Sequence, residues 1–484
     1  MLSEKFFLWN AIPNLIVILL LLYYLSIRKG VGAVIAALFV YLSLHGGYAI
    51  FAAATGDGIN TLNALHYESS DLGAKLVGLF FITSSLVLLF NRLNFNLQTI
   101  RENSKLALKI CCLLISFLLV MVFGSINLVN INSSSLLNIF KEIFYAVSMW
   151  IYAFLFALVL KQGGKYLIAF RTEWIIVLAV LSIIMVISGS YELITETVWA
   201  GTPNAAGFSY RASGTLFNPN VLGFWSALMV LLTSFMFHIR WISRFASLGF
   251  MLLSVACLIL SSSRSGFMLS IINVVAISLF MLGDKKAIRN SPIDKCWPAI
   301  SFVIAFFFCV ALIEYVNPVQ SLFTKSLLAN LYRLTQLPVD IFSIFLVKIY
   351  FPLTDVFPFL PKFRDLLLIL NANLSDRISE SIEGRTAFLY TSDNSFISIY
   401  VIGTIVALAL WLSLWALLLW YGLARNYKFQ GIYSSYALVG WIFCFASGLF
   451  LRSPQLFPIW IFMSMVLGAC ICWWFLVDNS NNLR

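Results

Sequence analysis

Residues 246–283 read ASLGFMLLSVACLILSSSRSGFMLSIINVVAISLFMLG. Two apolar runs, 246–262 and 266–283, stand almost without a loop between them. Each approaches the roughly 20 residues that carry a helix across a hydrocarbon core of about 30 Å. A transmembrane strand would instead alternate with period two over about 10 residues. Lipid satisfies no unpaired backbone group, so runs of this length read as helices. Arg264 sits in the turn, where nearby hydrocarbon makes an ionised side chain costly.

The pattern repeats in both directions from this hairpin. Spans are expected near 7–26, 31–54, 74–90, 108–130, 138–160, 174–190, 220–239, 246–262, 266–283, 297–316, 395–420, 432–451 and 457–477. The expected fold is an all-α polytopic integral membrane protein of about 12–14 transmembrane helices. Composition supports this: 61% of residues are hydrophobic and 11% charged, with a mean hydropathy of +0.94. A soluble domain carries about a quarter charged residues, so a water-facing surface is excluded. No repeat or soluble domain is visible, and residues 1–484 read as a single transmembrane domain.

Arg28 and Lys29 follow the first run without a small-residue cleavage site, so that run is expected to remain as an anchored helix. Eight cysteines lie in or beside apolar runs, no C-x-x-C spacing occurs, and only three histidines are present. Neither disulfides nor a metal site is expected, and no cofactor.

The net charge of +11 forms no basic tail, which argues against nucleic acid. It is better read as topology. The connections 27–30, 91–109, 161–173, 240–245, 284–296, 421–431 and the C-terminal tail hold 18 Lys and Arg against 5 Asp and Glu; the rest holds 13 against 15. The first set is expected on the cytoplasmic side. The N-terminus and the segments 55–73, 191–219 and 317–394 are then outside, periplasmic in a bacterial inner membrane. In the large loop 317–394, Val339–Phe351 is apolar but contains Asp340 and Lys348, and Pro352, Pro358 and Pro361 follow. Helices lying on the outer leaflet suit it better than a further span.

Polar residues of this outer side gather in three stretches. The first is Arg211-Ala-Ser-Gly-Thr-Leu-Phe-Asn-Pro-Asn220. Asn218 before Pro219 reads as an N-cap followed by a first-turn proline. The helix end, with Arg211 and Asn220 nearby, suits a phosphate. Plain capping with a snorkelling arginine explains the same residues.

The second stretch is Ser261-Ser-Ser-Arg264-Ser-Gly266. Arg264 either faces a polar cavity or is a cation at a helix C-terminus. The third runs from Ser379 through Glu383 and Arg385 to Asp393, Asn394 and Ser395. Asp393 or Asn394 caps the following helix, and a carboxylate near arginines also suits a general base; both roles stay open. Arg452, before Pro454, completes the outer arginines. His45 reads as a packed residue, His66 has no companion, and His238 reads as an inner-end anchor. Asn132 and Asn373 match the glycosylation pattern, which short sequences match by chance.

The pairing of Arg211–Asn220 with Ser261–Gly266 resembles the motif pair of the O-antigen ligase/polymerase superfamily. Asp393-Asn394-Ser395 after a large outer loop is similar to its polymerase branch. The resemblance covers roughly residues 170–420. It implies a GT-C-like membrane glycosyltransferase whose substrates are glycans on undecaprenyl pyrophosphate, both as donor and as acceptor; with no acidic cluster suited to a divalent ion in the sequence, metal independence is expected. A chain-length regulator protein is a possible further partner. Ligases of this superfamily carry a catalytic histidine in the large loop. This chain has no histidine beyond His238, which favours the polymerase branch.

Under that resemblance Arg211 and Arg264 hold pyrophosphate, helped by Asn218 and Asn220. Asp393 receives the acceptor's proton, with Glu383 as the substitute. Arg385, Asn394 and Arg452 contact substrate. Two other readings stay open: a ligase acting on lipid A core, and a flippase or transporter. A transporter would hold its charges near mid-membrane on broken helices in two related halves. Here they crowd one face, which argues for an enzyme at the membrane boundary.

Overall fold

The computed structural model describes residues 31–43, 83, 85–87, 89, 104–129, 136–195, 211–212, 214–216, 219–283, 291–316, 322–335, 395–428, 431–450 and 459–476. Among them the chain is helical apart from short turns. The helices are α1 (Val31–Ser43), α2 (Ser104–Val129), α3 (Leu136–Ala169), α4 (Arg171–Thr195), α5 (Pro219–His238), α6 (Arg244–Ser261), α7 (Arg264–Gly283), α8 (Pro292–Val316), α9 (Leu322–Thr335), α10 (Ser395–Lys428), α11 (Ile432–Phe450) and α12 (Ile459–Ile471).

Among the described residues, seven helices are long and apolar enough to cross a membrane: α4 to α8, Thr404–Ala424 within α10, and α11. Four shorter apolar helices join them, at Gly32–Ser43, Leu108–Gly124, Ala146–Lys161 and Ile459–Trp474. Together they match every expected span except 7–26 and 74–90. Those two lie outside the described residues, save for a few positions of the second. The fold is that of a multi-pass α-helical membrane protein.

Helix α5 is apolar all round and sits at the centre, against α6, α7, α8 and α11. Outer helices of the bundle keep one face for lipid. On α4 that face carries Ile176, Val180, Ile183 and Ile187; on α8 it carries Phe307, Phe308, Leu312 and Tyr315. Apolar burial drives little helix association inside lipid, so small residues bring backbones together. A Cβ on Gly266 of α7 would lie 2.5 Å from the carbonyl carbon and oxygen of Gly223 on α5. A Cβ on Gly468 of α12 would lie 2.8 Å from the Ala153 carbonyl of α3.

Helix α10 is broken at Thr404, whose φ of 65° and ψ of −172° are not helical. A β-branched residue in that region is a genuine outlier. The expected span 395–420 therefore becomes a short segment followed by the spanning part, Thr404–Ala424. His238, expected to anchor a helix end, closes α5 and is buried there. Its Nδ1 lies 2.6 Å from the Tyr436 hydroxyl and 3.1 Å from the Ser234 carbonyl. At the same end the Arg244 guanidinium donates to Asp294 Oδ1 at 2.8 and 3.0 Å and lies over Trp297.

The segment expected as a large loop begins with α9. That helix turns Asn330, Leu331 and Leu334 inward and Tyr332 outward, and packs on α4, α6 and α8. Residues 336–394, including Val339–Pro361, lie outside the described residues.

Candidate functional site

The site forms at the reversal between α6 and α7. Helix α6 ends at Ser261 and α7 opens at Arg264, so two residues turn the chain. Ser262 takes the left-handed conformation, φ 47° and ψ 33°, and its N–H donates to the Ile259 carbonyl at 3.2 Å. The Ser261 hydroxyl donates to the Leu258 carbonyl at 3.0 Å and accepts from the Ser263 N–H at 3.3 Å. The Ser263 hydroxyl accepts the Gly266 N–H at 3.2 Å, which is N-capping of α7. All three serines are fully buried.

Arg264 is therefore the first residue of α7, three residues past the end of α6. A helix N-terminus carries partial positive charge and disfavours a cation. An anion placed there gains from both the helix end and the guanidinium.

The first stretch folds onto this reversal. Arg211 Nε donates to the Ser261 carbonyl at 3.0 Å, and its NH2 donates to Asn220 Oδ1 at 2.8 Å. The Ala212 N–H and Asn330 Nδ2 both donate to the Leu260 carbonyl, at 2.9 and 3.2 Å. The last carbonyls of a helix lack partners within it. Here residues 50 positions upstream and 70 downstream supply them.

Gly214 follows at φ 57°, and its N–H donates to Glu192 Oε2 at 3.1 Å. Thr215 donates to the Ser43 carbonyl at 2.8 Å. The loop bearing Arg211 is thus held by α1, α4 and α6 before Pro219 opens α5. Proline suits that first position because its missing N–H would have no helical partner there.

The third stretch enters through α11. The Ser265 hydroxyl donates to the carbonyl of Phe450, the last residue of α11, at 3.0 Å. Phe396, at the start of α10, packs on that same end of α11, with its ring 5.0 Å from that of Phe445. A Cβ on Gly448 would lie 3.0 Å from it. The described residues thus bring Arg211, Asn220 and Arg264 to one end of the bundle, with the opening of α10 beside them. Asn218, Glu383, Arg385, Asp393, Asn394 and Arg452 lie outside the described residues.

Two residues that the sequence reading passed over belong to this junction. Glu192 is 4% exposed, in the last turns of α4, and Asn330 is 2% exposed. Glu192 had no sequence signal, because the expected span ended at residue 190 and left it in an outer connection; only the helix running on to Thr195 makes it an ionisable residue of a membrane helix. Asn330 had none either, because an amide in a mixed helix is ordinary.

Electrostatically, the N-termini of α5 and α7 open at the same end as two guanidinium groups, while Arg211 covers the last carbonyls of α6. That arrangement suits an anion. Comparison with known proteins gives no match, whether to a family model, a curated protein or a solved structure. What fold and site define is a class: a multi-pass α-helical membrane protein with an arginine-bearing helix junction at one end of the bundle.

Proposed function

We propose that this chain is a polysaccharide repeat-unit polymerase, a membrane glycosyltransferase of GT-C-like fold in a bacterial inner membrane. It transfers a glycan from undecaprenyl pyrophosphate to a sugar hydroxyl of a second lipid-linked repeat unit at the periplasmic face. The observation that carries this reading is the union of the two arginine stretches. Arg211 bonds the carbonyl of Ser261, and Arg264 opens the next helix three residues later. The charge bias assigns this end of the bundle to the outside.

The acceptor oxygen attacks the anomeric carbon, and the bond from that carbon to the pyrophosphate oxygen breaks. The electron pair leaves with undecaprenyl pyrophosphate, and the hydroxyl proton passes to a carboxylate. Pyrophosphate is already a good leaving group, so the main task is stabilising its developing charge. Arg211 and Arg264 do this as planar forks that stay protonated. Asp393 takes the proton, with Glu383 in reserve, and Arg385 and Arg452 contact donor phosphate or sugar.

A deletion strain tests the reading through its lipopolysaccharide gel profile. Loss of a polymerase leaves cores capped with a single repeat unit. Bare core with polymer accumulated on lipid would identify a ligase instead, and an unchanged profile would remove the glycan reading.

A further inference from the structure

Two costs fall on one residue at the site. Ser262 is held at φ 47°, a conformation that glycine adopts freely and other residues avoid. Its hydroxyl is also buried and meets no hydrogen-bond partner among the described residues. Its neighbours' hydroxyls are all engaged: Ser261 with Leu258, Ser263 with Gly266, Ser265 with Phe450. The reversal needs the left-handed backbone but no serine there. The capping bond to Ile259 uses the Ser262 backbone N–H, which glycine would supply without strain. A strained backbone and an unspent buried donor both call for a reason. Both fall between Ser261, whose carbonyl takes Arg211, and Arg264.

We infer that the Ser262 hydroxyl donates a hydrogen bond to a phosphate oxygen of the substrate pyrophosphate held by Arg264. The inference rests on the phosphate reading of the site given above. A donor already stripped of water has no hydration to shed when charge develops beside it, which is where such a group is most effective.

Ser262→Gly is the informative variant, because it relieves the backbone while removing the hydroxymethyl side chain. Ser262→Ala removes the hydroxyl and keeps the strain. The full chain in lipid nanodiscs is titrated calorimetrically with inorganic pyrophosphate and with undecaprenyl pyrophosphate, and thermal midpoints are recorded. Both variants should bind about tenfold more weakly than the parent, as for the loss of one hydrogen bond to a charged group. Ser262→Gly should keep or raise the midpoint. Parent-like binding by Ser262→Gly overturns the inference and leaves the phosphate reading standing. Weak binding by Ser262→Ala alone overturns it in the same way, because Ser262→Gly lacks the hydroxyl equally. A parent protein that binds neither ligand removes the phosphate reading itself, and the inference with it.

Discussion

Replacing Gly266 by alanine tests the close crossing that joins the two arginine stretches. The added methyl would lie 2.5 Å from the carbonyl carbon and oxygen of Gly223 and 2.6 Å from its Cα. Carbon atoms in good contact lie about 3.5–4.0 Å apart, so the gap falls short by about 1 Å. The obstacle is backbone within a helix and has no rotamer to change, so α5 and α7 must move apart. Overpacking of this kind costs typically about 1–3 kcal/mol.

Alanine's better helix propensity returns up to about 1 kcal/mol, less near a helix end, so the expected net loss is about 1–2 kcal/mol. The movement also separates Asn220, which holds Arg211, from Arg264. Activity should therefore fall further than stability alone explains. Gly249 of α6 is the matched control, because a Cβ there meets nothing within 4 Å. Gly249→Ala should be neutral or stabilising by up to about 1 kcal/mol. The assay is the thermal midpoint of purified protein alongside polymer synthesis from lipid-linked repeats. If Gly266→Ala matched Gly249→Ala in both measurements, the α5–α7 crossing and the geometry built on it would be wrong.

Arg264→Lys keeps the charge but loses the planar fork, and should cost about a hundredfold or more in turnover; near-normal polymer from a well-expressed variant would count against phosphate contact. Glu192→Ala should leave the buried Gly214 N–H without its acceptor and lower stability by about 1–3 kcal/mol. Glu192→Gln should be milder because it keeps an acceptor oxygen, and equal midpoints for the two would refute the clamp on the Arg211 loop. Turnover should survive EDTA, because arginines take the charge that a metal ion would otherwise neutralise. Loss with EDTA and rescue by magnesium or manganese would make Asp393 a candidate metal ligand.

Helix identity was legible in the chain because hydropathy is a local property. The runs at 246–262 and 266–283 announced two membrane helices without reference to any partner, and α6 and α7 occupy nearly those residues. The candidate arginines were legible for a similar reason, since a guanidinium beside an apolar run is anomalous wherever the helix packs.

What tertiary structure decided was pairing and direction. Nothing near Arg211 in the sequence says that its guanidinium reaches Ser261, or that Glu192 receives the Gly214 amide. Those bonds exist because α4, α5 and α6 end or begin at one level of the bundle. Sequence left Arg264 open to either end of a helix. The two-residue reversal through a left-handed Ser262 made it the first residue of α7. Nor could the text around Gly223 and Gly266 reveal that they touch, because a missing side chain matters only where another backbone passes. Local chemistry decides which segments enter the membrane. Their neighbours come from close packing between residues far apart in the chain, and neighbours determine which polar groups meet.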